Sequence, residues 1–120
     1  MREMTMKNFD MTAAIEMLKN EIIADYEAFQ NRSGRERTEI QARMLDEFIN
    51  KLSYTVGQKY VKITSGGSVW GFIVNTAEDK KFRFGDILKA ASWAAPTRNS
   101  ARGNVFEDYT VQWTGPLYLK

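Results

Sequence analysis

Near residue 54 the hydrophobic period of this 120-residue chain changes, and no single kind of element serves both halves. Before that point Met11, Ile15, Leu18, Ile22, Tyr26 and Phe29 recur at intervals of three and four, and Ile40, Met44, Leu45, Phe48, Ile49 and Leu52 cluster in the same manner. Such intervals place apolar side chains along one stripe of an α-helix. The spacing predicts helices over residues 8–31, with Asp10 or Thr12 as N-cap, and over 36–52. Between them Asn31-Arg32-Ser33-Gly34-Arg35 breaks the pattern, and a short polar link of this kind folds two helices back on each other.

From Tyr54 onward β-branched and aromatic residues alternate with polar ones. Tyr60-Val61-Lys62-Ile63-Thr64 and Val69-Trp70-Gly71-Phe72-Ile73-Val74 read as two strands joined by the hairpin loop Ser65-Gly66-Gly67-Ser68. A further turn is expected at 77–80, and short strands at 105–107 and 110–113. The expected class is therefore α+β: an N-terminal antiparallel helical hairpin over 1–53, serving packing or oligomerisation, then a small antiparallel β-sheet or barrel-like core over 54–120.

The charge divides at the same place. Residues 1–53 hold 8 Lys and Arg against 10 Asp and Glu, whereas residues 54–120 hold 9 against 5, so the overall +2 conceals a basic C-terminal half. Lys80, Lys81, Arg83, Lys89, Arg98 and Arg102 make up most of that excess, and a basic face of this kind attracts anions. All three tryptophans, Trp70, Trp93 and Trp113, lie in that half, together with Tyr54, Tyr60, Tyr109 and Tyr118. A module this small needs most of its large aromatics as core.

Residues 87–104, ILKAASWAAPTRNSARGN, do not read as a routine core strand. Small residues permit close backbone approach, Pro96 stiffens the segment, and Gly103 permits positive φ. Arg98 and Arg102, with hydroxyls and amides around them, suit phosphate oxygens and ribose hydroxyls. Trp93 or Phe82 offers a face on which a purine can stack. The candidate ligand-binding set is Phe82, Lys89, Ser92, Trp93, Thr97, Arg98, Asn99, Arg102 and Asn104. The alternative is a long structural connection whose arginines cap carbonyls or pair with carboxylates.

The chain has no His and no Cys, which removes imidazole bases, thiolate nucleophiles, disulfides and the usual nitrogen or sulfur zinc sites. No cofactor or metal is expected. An enzyme built on this sequence would have to work through Lys89 or a carboxylate, and no acid pair is spaced for that, so a non-catalytic role is expected. There is no apolar run of membrane-spanning length and no apolar signal segment at the amino terminus, so the expected location is the cytoplasm and no membrane partner is expected.

The string from Phe82 to Asn104, with Lys89-Ala90-Ala91-Ser92-Trp93, then Pro96, then Ala101-Arg102-Gly103-Asn104, is similar to a module of small phage proteins. The layout of the chain also resembles the first-described family of phage Thoeris anti-defence proteins. That resemblance implies helices packed on an antiparallel β core, a homo-oligomer with pockets near subunit contacts, and action as a sponge in the host cytoplasm. Such a sponge holds the cyclic ADP-ribose isomer made by a bacterial TIR-domain enzyme without cleaving it, and some members also bind cyclic oligonucleotides. Two other functions fit the residues: a small nucleic-acid-binding accessory protein using the basic sheet face, and an inhibitor whose helices dock a host protein. A net charge of only +2 weighs against nucleic acid as the partner.

Overall fold

A computed structural model describes residues 10–107 and 109–116. The expected helix start at Asn8 and the aromatic Tyr118 lie outside the described residues. Two helices, α1 (Met11–Gln30) and α2 (Glu39–Lys51), precede a four-stranded antiparallel sheet. Its strands, β1 (Leu52–Val56), β2 (Tyr60–Ser65), β3 (Ser68–Val74) and β4 (Ile87–Leu88), lie in the order β1-β2-β3-β4. A separate two-stranded ribbon joins β5 (Val111–Gln112) to β6 (Gly115–Pro116).

Both helices begin where side chains can satisfy their first backbone donors. Asp10 Oδ1 accepts from Ala13 N at 3.2 Å. Thr38 and Gln41 form a reciprocal capping box, with Gln41 N donating to Thr38 Oγ1 at 3.1 Å and Thr38 N to Gln41 Oε1 at 3.0 Å. That box explains why α2 starts at Glu39 and not at the expected Glu36. Gln30 Nε2 donates to Gln41 O at 2.7 Å, which fixes the end of α1 against the start of α2.

The helices bury themselves unequally. Ile15, Leu18 and Ile22 of α1 have no exposed surface and pack with Val61, Ile63, Trp70, Ile73 and Ile87 of the sheet. Of α2 only Leu45 is buried, while Ile40, Met44 and Ile49 are 63%, 47% and 39% exposed. The expected α2 stripe is therefore divided: Leu45, Phe48 and Leu52 pack inward, while the described residues leave Ile40, Met44 and Ile49 uncovered. Since α1 contributes to the same core as β2, β3 and β4, the helical and β-rich halves share one hydrophobic interior.

The sheet begins earlier than the change of period suggests. Leu52 closes α2, its N–H bonding back to Phe48 O and Ile49 O, and simultaneously opens β1, which pairs with β2 from Leu52↔Ser65 to Val56↔Val61. The β2–β3 hairpin turns at Gly66 and Gly67, with Gly66 at φ +62°, as the loop residues imply. Of the later expected strands, 110–113 shortens to Val111–Gln112, and Val105 and Phe106 form a turn. The ribbon is tied down by Trp70 Nε1 donating to Gln112 O at 2.8 Å and Trp113 N donating to Asp25 Oδ2 at 2.9 Å.

Alternation along the strands puts Phe72, Val74 and Leu88 on the face opposite α1, where Phe82, Ala90 and Ala101 cover them as a second small core. The segments on either side of β4, residues 75–86 and 89–101, thus contribute a third layer over the β3–β4 side of the sheet. Over β1 and β2 that same face is less covered, and the polar residues Thr55, Lys62 and Thr64 line it.

Candidate functional site

The 87–104 segment folds as a hairpin followed by an irregular ladder against β4. Ala90 and Pro96 form an isolated antiparallel bridge, and Thr97 donates through both N (2.7 Å) and Oγ1 (3.1 Å) to Lys89 O. Inside that bridge Ala91 N and Ser92 N both bond to Ala95 O, at 2.9 and 3.1 Å. Trp93 stands at the tip of this tight turn and is 55% exposed. Further on, Arg102 N donates to Ile87 O and Ile87 N to Gly103 O, at 2.7 and 2.8 Å, so residues 102 and 103 run beside β4.

Several of the residues nominated from the sequence hold this segment together. Asn104 is 3% exposed; its Nδ2 donates to Phe84 O at 2.9 Å and Asp86 Oδ1 at 3.0 Å, and its Oδ1 accepts from Phe106 N at 2.9 Å. Arg98 donates to Asp79 Oδ1 at 2.9 Å and Tyr60 Oη at 2.6 Å, with its guanidinium 4.9 Å from the centre of the buried Phe82 ring. Asn99 Oδ1 accepts from Ser100 N and Arg102 Nη2, while Arg102 Nε donates to Ser100 O. Arginines bonded to a carboxylate and to carbonyls are the arrangement of the structural alternative.

Asp79 is the hub of that anchor. Its side chain is 1% exposed, and its Oδ1 also accepts from Lys81 N at 2.8 Å and Phe82 N at 3.0 Å. The Arg98 guanidinium, helped by these two backbone donors, holds the Asp79 carboxyl well below the usual carboxylate range. Arg98 is correspondingly raised, chiefly through its hydrogen bond to Asp79.

The nominated residues do not converge on one cavity. Lys89 lines a hollow of about 170 Å³ beside Trp70 and Pro116, whereas Ser92 and Trp93 line another of about 300 Å³ beside Gly67. Two larger spaces meet at Lys59. One, of about 450 Å³, lies over the polar face of β1 and β2 and is bounded by Thr55, Tyr60, Lys62, Thr64, Phe72 and Trp93. The other, of about 580 Å³, is bounded by Lys59, Glu78, Asp79, Lys80 and Arg98. Both fall within the range of about 300–1,000 Å³ typical of small-molecule sites.

Across the floor of the first space Thr55, Lys62 and Phe72 form one cross-strand row, which the buried Leu88 continues beyond it, set by the pairings Thr55↔Lys62, Lys62↔Phe72 and Phe72↔Leu88. From that row the Lys62 ammonium reaches up to the Trp93 ring, with Nζ 4.4 Å from its centre. A cation–π contact at an exposed site is worth about 0.5–1 kcal/mol, and a base stacked on an aromatic side chain about 1–3 kcal/mol. A stacking ligand therefore has the energy to displace Lys62. Lys59, Lys62 and Lys80 form no ion pair among the described residues, unlike Arg98.

Sequence reasoning identified Trp93 and missed Lys59, Tyr60, Lys62 and Lys80 as a group. The alternation of β2 carries a signal for two of them, since Tyr60 and Lys62 must share the face opposite Val61 and Ile63. Nothing in the sequence says that a hairpin 30 residues further on hangs its tip over that face. Among the described residues no group of three or more Asp, Glu, His or Cys side chains is placed to hold a metal ion, and no helix is long and apolar enough to cross a membrane. Comparison of the chain with protein-family models, curated proteins and solved structures returns no match.

Proposed function

We propose that this chain binds a cyclic nucleotide-type signalling molecule, without chemical turnover, and by sequestering it withholds it from a bacterial immune effector. The observation that carries this reading is the exposed Trp93 held at the tip of a hydrogen-bonded hairpin beside Lys62, above a cleft continued by Lys59 and Lys80. An exposed indole costs solvation and contributes little to this core, whereas beside lysines it suits a base attached to phosphates. The similarity of residues 82–104 to a module of small phage proteins, together with the resemblance of the chain's layout to phage anti-defence sponges, supplies the biological setting: a phage protein in the host cytoplasm acting on a cyclic ADP-ribose isomer. Exposed Ile40, Met44 and Ile49 on α2 are the apolar surface this reading assigns to homo-oligomer contacts.

Native mass spectrometry of the protein purified from cells with an active TIR-domain or cyclic-nucleotide synthase tests the proposal. A nucleotide of intact mass, released on denaturation in fixed ratio to the protomer, is the expected result. A protein that gains no mass from any cyclic nucleotide, or that releases only cleaved products, removes it.

An uncovered sheet face carrying an aromatic and lysines also suits a few nucleotides of single-stranded nucleic acid, which favours a second reading. Salt separates the two, because binding that tracks a phosphate backbone weakens steeply with ionic strength.

A further inference from the structure

Resting on the nucleotide-binding reading above, we propose that the space filled by the Lys62 ammonium is a nucleobase subsite. In the loaded protein a planar heterocycle stacks on the Lys62 side of the Trp93 ring, and the displaced ammonium pairs with a phosphate of the same ligand.

Three observations converge on this exchange. First, the position of Trp93 does not depend on its own burial, because the Ala90↔Pro96 bridge and the bonds to Lys89 O and Ala95 O shape the turn. Second, Lys62 Nζ lies 4.4 Å from the ring centre, and stacked aromatic rings have centroids roughly 4.5–7 Å apart, so ammonium and base compete for one volume. Third, the floor beneath carries the hydroxyls of Thr55 and Thr64, side chains small enough to admit a flat ring and able to hydrogen-bond its edge.

The charge arrangement decides where the phosphates go. Arg98 lines the adjoining space, but its Nη1 and Nη2 donate to Tyr60 and Asp79. The lysines are better placed: Lys59 borders both spaces, Lys80 borders the second, and Lys62 has a flexible stem that swings on leaving Trp93. The ligand class is accordingly a base joined to one or more phosphates, with base and phosphate each contributing to affinity.

Isothermal titration calorimetry with ADP, adenosine, cyclic di-adenylate and inorganic pyrophosphate tests the subsite. Trp93→Ala is expected to weaken ADP and cyclic di-adenylate by about tenfold or more, with Trp93→Phe recovering most of the loss. Lys62→Met is expected to act in opposite directions, tightening adenosine by freeing the ring while weakening ADP by removing a phosphate partner. If Trp93→Ala stays within twofold of the wild type for ADP and cyclic di-adenylate, the subsite is wrong while nucleotide binding stands. The subsite is equally excluded if pyrophosphate binds as well as ADP and Lys62→Met weakens adenosine. A wild-type protein that binds none of the four probes overturns the subsite, whereas the function it rests on falls only if the protein also gains no mass from any cyclic nucleotide in the native mass spectrometry above.

Discussion

Arg98 donates to the carboxylate of Asp79 across 2.9 Å, and this contact pins the 89–104 segment to the turn that precedes Phe82. Because the folded protein favours ionised Asp79 more than the unfolded chain does, folding and deprotonation are coupled. The carboxyl is held below its ordinary range, so its contribution is fully present above the unfolded pKa of about 3.9 and is lost as pH falls below it towards the folded value. Urea denaturation of the wild type and Asp79→Asn should therefore show a stability gap that is constant from about pH 7 to 5 and narrows in stronger acid. A gap that widens on acidification contradicts the assignment.

Asn104 provides a way to separate a structural from a ligand-binding role. Its amide bonds to Phe84 O, Asp86 and Phe106 N within a site that leaves it 3% exposed. Truncation to Ala removes a donor and an acceptor from a buried cluster, and each such loss costs about 1–3 kcal/mol. Asn104→Ala is expected to lower the urea midpoint by a corresponding amount while the folded fraction keeps its nucleotide affinity. A variant of wild-type stability with weakened binding returns Asn104 to the ligand site.

How much of this was legible in the sequence depends on how local each determinant is. The helices, the β2–β3 hairpin and a cap at Asp10 or Thr12 follow from spacing and from single residue types, and the elements lie where the spacing puts them to within a few residues, with Asp10 as the cap. Strand β1 escaped because Leu52 belongs to both the helical stripe and the sheet, so the period offers no gap between α2 and β1. The candidate site divides in the same way. Arginine, asparagine and threonine in a loop look alike whether they face a ligand or the loop's own backbone, and only the tertiary contacts of Arg98, Thr97 and Asn104 separate the cases. Ile40 and Met44 show the complementary limit, since periodicity identifies an apolar face but not what lies against it.

The shared core makes a prediction about cooperativity. Leu18 is fully buried between α1 and the sheet, among residues that include Ile63, Ile73 and Ile87. Leu18→Ala is expected to cost about 2–5 kcal/mol. If helices and sheet form one cooperative unit, far-ultraviolet circular dichroism and the fluorescence of Trp70, whose indole bonds to Gln112 O, should shift to the same lower denaturant concentration. Fluorescence is best read with Trp93 and Trp113 replaced by Phe. Two separated transitions, with the tryptophan signal unmoved, imply that the helices unfold independently of the sheet.

The proposed nucleotide site predicts that affinity has two parts with different sensitivities to salt. Lys59 and Lys80 border the polar space, and as exposed cations they contribute about 0.2–1 kcal/mol each, screened by added ions. Stacking on Trp93 depends on dispersion and desolvation, which moderate salt does not screen. Lys59→Gln combined with Lys80→Gln should therefore weaken ADP several-fold at low ionic strength, with the difference shrinking as sodium chloride rises towards about 1 M, where the Debye length is about 3 Å. Trp93→Ala should show nearly the same loss at both extremes. Calorimetric titrations of the wild type and both variants at two salt concentrations measure this directly. If the lysine and tryptophan variants share one salt dependence, base and phosphate are not held in separate compartments, and the division of the cleft at Lys59 does not describe how the ligand sits.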